Sequence, residues 1–195
     1  SALLSLRQSL LVAPCEEFTH SQVLRIFGCC DHRLIAFYED LVVQSPSSAE
    51  FHYYLSRYQK EFGNSQSALE HALESIHLKP GDVRYRVLLI SIYRDLGFLV
   101  QALNQAEEAC SVCHKDERVF HLATSICLQM GKYDKALEAA MSAVKIEPVS
   151  WRSFYILGRV YVSLGQIKES ILSFNRSIKL NPGQVESYFE LSLNL

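Results

Sequence analysis

The sequence predicts an all-α protein made of stacked antiparallel helical hairpins, and three regularities predict it. Gly63, Gly97, Gly131 and Gly165 recur every 34 residues. Pro46, Pro80, Pro148 and Pro182 fall on a second 34-residue grid whose one vacancy is filled by His114. Between these marks apolar residues return at helical spacing, as in Leu55, Ala68, Leu69, Ala72 and Ile76, and again in Leu89, Tyr93, Ala102, Leu103 and Ala106. Each unit therefore holds two helices. Glycine at the midpoint suits the left-handed residue that closes the first helix, because it lacks the Cβ that would clash there. Proline near the end has no amide hydrogen and drives the residue before it out of the helical region, so it stops the second helix. A lone hairpin cannot bury its apolar face, so neighbours stack and share a continuous core.

Taken in chain order, residues 1–14 carry Arg7 inside a leucine-rich run. A signal peptide would place that charge before the run, so a packed amphipathic helix of a preceding partial unit is the reading. Residues 15–48 keep the frame through Phe18, Tyr38, Leu41 and Pro46, but Gln22 and Leu34 stand where small residues would let two helices touch. This unit is expected to be degenerate, with a splayed helix pair or an irregular turn. Residues 49–82 supply Leu55, Ser56, Gly63, Ala68, Ala72 and Pro80, and residues 83–116 supply Leu89, Tyr93, Gly97, Ala102, Ala106 and Ala109. Residues 117–150 offer Phe120, Ala123, Thr124, Gly131, Ala136, Ala143 and Pro148, with Cys127 in a place that is Tyr161 one unit later. Residues 151–184 carry Phe154, Leu157, Gly158, Tyr161, Gly165, Phe174 and Pro182, with Ser170 and Ser177 at small-residue places. Residues 185–195 begin another first helix with Tyr188 and Leu191 on its packing side. The whole reads as one continuous solenoid. The first residue is not Met and the pattern stops within a unit, so a piece of a longer protein is expected.

The pattern resembles the tetratricopeptide repeat, whose signature is a large residue, then Leu-Gly, Tyr, Ala, Phe, Ala and Pro at fixed offsets. The resemblance covers roughly residues 15–195 and implies an α-α superhelix. Small residues at Ser56, Ala68, Thr124, Ala136 and Gly158 are expected to permit close helix approach while aromatics fill the space between units. The second, fifth, ninth and twelfth places of each unit share one face of the first helix, offset from the packing face. The resemblance implies that this face lines a concave groove that receives ligand peptides. In this sequence it carries Tyr53, Arg57 and Lys60; Arg84, Ser91 and Arg94; Arg118, His121 and Ser125; and Arg152, Tyr155 and Arg159. Arg84, Arg118 and Arg152 repeat at one place in three successive units and would stack as a ladder. Guanidinium groups grip carboxylates or phosphates with two parallel hydrogen bonds, and the tyrosines add flat apolar contact. The partner-binding candidates are thus Tyr53, Arg57, Arg84, Arg94, Arg118, His121, Arg152, Tyr155 and Arg159, for an acidic or phosphorylated segment with an apolar anchor. The competing reading pairs the arginines with Glu50, Asp95 or Glu117 as a solvated surface. Tyr53, Val87, His121 and Tyr155 stand where a chaperone-tail clamp of this family would have its first lysine, which argues against that ligand.

Other chemistries fit the residues poorly. A net charge of −2 and a pI near 6.4 lack the basic stripe that a nucleic-acid partner requires. No apolar run reaches the ~18 to 20 residues of a membrane span. The six cysteines, in a chain that is 49% hydrophobic, do not form the framework of a small secreted fold, so reduced thiols in the cytoplasm or nucleus are expected. The sequon Asn175-Arg176-Ser177 lies within a helical pattern and reads as coincidence. Cys110-Ser-Val-Cys113-His114 has the spacing of a c-type haem site, yet it ends a second helix with His114 in the proline slot. Zinc would need Cys127 and His121 beside Cys110 and Cys113, but Cys127 falls on the core stripe. Cys29-Cys30-Asp31-His32 has no partner motif. No phosphate loop, nucleophile elbow, HExxH helix or EF-hand loop is present, and no catalytic residue, metal or cofactor is assigned. The expected function is a protein-interaction scaffold in a multiprotein complex. The alternatives are a self-association module, with Leu191, Leu193 and Leu195 meeting a neighbour, or the repeat part of a larger enzyme.

Overall fold

The computed structural model describes residues 2–28, 32–112 and 115–193. The described residues form α-helices and no strand. In order the helices are α1 (Ala2–Val12), α2 (Glu17–Phe27), α3 (Arg33–Gln44), α4 (Ala49–Glu61), α5 (Ser65–Leu78) and α6 (Val83–Asp95), then α7 (Leu99–Val112), α8 (Glu117–Gln129), α9 (Tyr133–Ile146), α10 (Trp151–Ser163), α11 (Ile167–Leu180) and α12 (Val185–Leu193). The chain divides into two compact units, Ser1–Gly97 with the first six helices and Phe98–Leu195 with the rest.

Local chemistry sets the helix ends. Gly63, Gly97, Gly131 and Gly165 adopt φ between 69° and 83°, the left-handed region that a side chain would strain. Before Pro46, Pro80, Pro148 and Pro182, residues Ser45, Lys79, Glu147 and Asn181 swing to ψ values of 73° to 92° and leave the helix. The starts of α4, α6, α8 and α10 are each closed by a side-chain oxygen, from Ser48, Asp82, Asp116 and Ser150, accepting a backbone N–H of the first turn.

In the first unit Leu10, Val23, Leu34, Tyr38, Leu41, Phe51, Tyr54, Leu55 and Tyr58 form one buried cluster, and Ala68, Ala72, Leu88, Leu89 and Ile92 form another. The α4–α5 hairpin closes where Ser56 Oγ–H donates to the Ala68 carbonyl at 2.7 Å, a short side chain letting two backbones meet. In the second unit the buried residues are smaller, with Ala102, Ala106, Ala109, Ala136, Ala140 and Ala143 all fully enclosed. The α10–α11 hairpin closes on Gly158, where an added Cβ would stand 2.6 to 2.9 Å from the ring of Phe174.

The structure corrects several expectations. Phe18 does not hold the frame of the first hairpin: it is 69% exposed, because α2 turns Thr19, His20 and Val23 inward instead. Leu34, at a place expected to be small, is fully buried in the apolar cluster, and α2 and α3 pack only loosely. On α12 the buried residue is Ser187; of the two residues expected on the packing side, Leu191 is half-buried one turn beyond Ser187, while Tyr188 is 47% exposed. Cys29, Cys30 and Asp31, Cys113 and His114, and Leu195 lie outside the described residues. Ser177 of the sequon is buried, donates to the Trp151 carbonyl at 2.9 Å and accepts from Ser187 at 2.9 Å. No helix among the described residues is long and apolar enough to cross a membrane.

Candidate functional site

Helix periodicity brings Glu17, His20 and Leu24 of α2, Tyr53, Tyr54 and Arg57 of α4, and Arg84 of α6 around one cavity of about 260 Å³ in the first unit. Its floor is a ring stack. His20 lies against Tyr54 with centroids 3.6 Å apart and 19° between planes, and Tyr38 continues the stack at 5.7 Å. The imidazole is oriented from both ends: Nε2–H donates to the Pro14 carbonyl at 2.8 Å, which leaves Nδ1 to accept from the Tyr38 hydroxyl at 2.7 Å. Burial pulls the His20 imidazole down to about 4, so the floor is neutral at physiological pH. Burial likewise pushes the Tyr54 phenol up to about 12.

The wall above this floor is cationic but engaged. Arg84 makes a fork with Asp82, Nε to Oδ1 at 3.0 Å and Nη2 to Oδ2 at 2.7 Å, while the backbone N–H of Arg84 donates to the same Oδ1 at 3.0 Å. One carboxylate thus caps α6 and aims its arginine. The Arg84 hydrogen bonds hold the Asp82 carboxyl below the usual carboxylate range. The remaining nitrogen, Nη1, donates at 3.2 Å to Glu17 of α2, whose side chain is 75% exposed. The guanidinium also lies 5.7 Å from the ring centres of Tyr53 and Tyr85. Arg57 pairs with Glu61 at 3.2 Å across one helical turn, and Arg94 with Asp95 at 3.0 Å, a carboxylate that Lys60 also holds at 2.9 Å.

In the second unit Arg118 repeats the fork on Asp116 at 2.9 and 2.6 Å. Arg152 does not, since Ser150 occupies the corresponding cap and has no carboxylate. Arg152 lies over Trp151 at 5.5 Å, and no described residue forms an ion pair with it. It shares a face of α10 with Tyr155 and Arg159, whose guanidinium is 6.0 Å from the Tyr155 ring. Burial raises the Tyr155 phenol, which leans on Phe174 at 6.0 Å. His121 departs from the expected exposed face: it is 8% exposed and donates Nε2–H to Ser153 Oγ at 2.8 Å, and Ser153 donates on to Glu117 at 3.0 Å. Burial lowers its pKa, and its task is to join α8 to α10.

Arg94 meets the expected Asp95, whereas the forks on Arg84 and Arg118 come from Asp82 and Asp116. A signal for them exists as Asp-Val-Arg and Asp-Glu-Arg at one register place, against Ser-Trp-Arg at residues 150–152. Glu17 has no such signal, because it comes from a helix distant in sequence. Among the described residues no group of three His, Cys, Asp or Glu side chains is placed to hold a metal ion.

Residues 98–182 match the family of the ChAPs, described as Chs5p-Arf1p-binding proteins. Among solved structures the chain is similar to TTC0263, a thermophilic TPR protein of Thermus thermophilus, at 20% identity and TM-score 0.69, over 82% of this chain and 88% of that one. It is similar to YrrB, a TPR protein with an unusual peptide-binding site, at 15% identity and TM-score 0.67, over 88% and 87%. MamA of Desulfovibrio magneticus aligns at 18% identity and TM-score 0.65, over 75% and 82%. No curated protein sequence matches the chain. The fold is that of a tetratricopeptide-repeat solenoid.

Proposed function

We propose that the chain binds an extended or helical partner segment that sets a carboxylate or phosphate beside an apolar anchor, as a subunit of a larger assembly. The observation that carries this reading is Arg84: two of its nitrogens are locked by Asp82, and the third already holds a carboxylate, the exposed Glu17, at 3.2 Å over a ring-lined cavity. A partner carboxylate need only displace Glu17, at little cost since exposed ion pairs are weak. Arg152, Tyr155 and Arg159 are the corresponding surface of the second unit, where Arg152 has no described carboxylate to give up. Protein partners accord with the Chs5p and Arf1p binding for which the ChAPs are named and with the unusual peptide-binding site of YrrB.

An array of peptides pairing one Tyr or Leu with Asp, Glu or phosphoserine tests the proposal. Wild type is expected to select an acidic subset that Arg84→Glu and Arg152→Glu lose by about tenfold or more, a difference of roughly 1.4 kcal/mol. The observation favouring self-association instead is the exposure of Val185, Tyr188, Phe189 and Leu193 on α12. Sedimentation separates the two: a concentration-dependent dimer abolished by Phe189→Glu, together with a peptide array indifferent to both arginines, would replace groove binding by self-association.

A further inference from the structure

The face of α2 that borders the ring-lined cavity of the first unit carries Glu17, His20, Ser21 and Leu24, and the same cavity is bounded by Arg57 of α4 and Arg84 of α6. Glu17 and Ser21 stand one helical turn apart, so their side chains share that face. Glu17 demonstrates that an anion on it reaches α6, because its carboxylate accepts from Arg84 Nη1 at 3.2 Å. Ser21 is exposed, and its Oγ–H turns back on the Phe18 carbonyl of the same helix at 2.6 Å. That carbonyl also belongs to the helical ladder, so removal of the hydroxyl proton does not leave it bare.

We propose that Ser21 is a phosphorylation site whose phosphate bridges Arg84 and Arg57 and so closes the first unit's partner site from within the chain. The inference rests on the reading of that site as a receptor for acidic segments and names its regulation. A protein kinase would transfer the terminal phosphoryl group of a nucleoside triphosphate to Ser21. The Oγ–P bond forms, the bond from phosphorus to the bridging oxygen breaks with its electron pair leaving on the nucleoside diphosphate, and the hydroxyl proton passes to the kinase's base. The product carries a charge of about −1.5 to −2 and three strong acceptor oxygens, on a side chain about as long as that of glutamate. Standing beside Glu17 with the larger charge, it drives that carboxylate off Arg84 Nη1 and takes its place. Arg57 joins it readily, since its tie to Glu61 is an exposed pair on its own helix at 3.2 Å, and such pairs are weak. Helix α2 is free to be drawn toward both, because it packs only loosely on α3. The competing cation is Arg25, one turn beyond Ser21 on α2 itself, which donates to Gln22 at 3.4 Å.

The test uses the 195-residue chain with phosphoserine installed at position 21, and its first readout is a phosphorus NMR titration from pH 8 to 4.5. Held by two guanidiniums, the phosphate is expected to bind its last proton about tenfold more weakly than in the urea-unfolded chain, where it does so near the ordinary pH of ~6. Arg84→Gln with Arg57→Gln should remove most of that difference, and Arg25→Gln should not. Arg57→Gln alone serves if the double variant does not fold. A titration indifferent to Arg84 and Arg57, or one governed by Arg25, overturns the proposal. The second readout is the peptide array, in which the phosphate is expected to weaken Arg84-dependent peptides by about tenfold or more. Equal binding of those peptides by the phosphorylated chain also overturns it. An array in which the unphosphorylated chain shows no dependence on Arg84 sinks the partner reading instead, and the titration still decides where the phosphate lies. Mass spectrometry of the protein recovered from its own cells with phosphatases inhibited is expected to find phosphate on Ser21, and a bare Ser21 there overturns the assignment.

Discussion

The two units fill one repeat register with different chemistry. In the first, aromatic and imidazole side chains are buried and tied to backbone: His20 and His52 each donate Nε2–H to the carbonyl of a proline six residues earlier, at 2.8 and 3.0 Å, and Arg86 reaches the Pro80 carbonyl at 3.3 Å. The Nδ1 of His52 consequently accepts from His71 Nδ1–H at 3.0 Å. In the second unit the places 34 and 68 residues after Arg86 are Phe120 and Phe154, and closure rests on alanines and on the Gly158–Phe174 contact. The lesson is that the register dictates where helices meet but not what holds them. The first unit leans more on titratable side chains and the second more on volume, with His121 as the second unit's buried imidazole tie.

Four experiments sharpen or break that contrast, and Trp151, the single tryptophan, reports the second unit by fluorescence. The largest effect is expected for Phe174→Ala, which empties the contact under Gly158 and costs about 3–5 kcal/mol in urea unfolding. Next is acid. His20 titrates at about 4 when folded and near the ordinary value of about 6.5 when unfolded, so its contribution is fully present above pH ~6.5 and lost as pH falls through ~4. The loss is on the order of 3 kcal/mol, and His71 and His121 act in the same direction because burial lowers both. Urea midpoints measured from pH 7 to 4.5 should fall for wild type and flatten in His20→Gln, with tyrosine signals moving before Trp151 fluorescence. Simultaneous loss of both signals at every pH would mean that the contrast has no energetic content.

The third effect is Gly158→Ala, expected to cost about 1–3 kcal/mol by driving a methyl into Phe174. Phe174→Leu in the same chain should recover part of it, which a double-mutant cycle measures. The smallest concerns the arginine caps. Ser150→Asp gives Arg152 the fork that Arg84 and Arg118 already have and should stabilise by at most about 1 kcal/mol, while weakening any acidic peptide held by Arg152. Asp82→Ser should do the reverse at Arg84. Unchanged peptide binding in both variants would show that the forks do not govern access to these arginines.

Helix pairing, turn glycines, stop prolines and small contact residues are readable from the sequence because each is set by backbone sterics or by neighbours within one hairpin. Gly63 at φ 83° and Gly158 beneath Phe174 need no knowledge of distant residues. Which side of α2 turns inward does need it: Thr19 and His20 are buried and Phe18 is not, because the stack on Tyr38 and Tyr54 rewards a hydrogen-bonded imidazole at that place. The inner-face residues can be named from their register, yet their availability cannot. Arg84 is tied by a carboxylate two residues away and another from α2, His121 is drawn inward by Ser153, and Arg152 has no fork because its cap is a serine. Local torsional preference determined the repeat from the sequence alone. Which side chains meet across helices, where electrostatics and volume are settled jointly by residues far apart in the chain, was decided only by the tertiary structure.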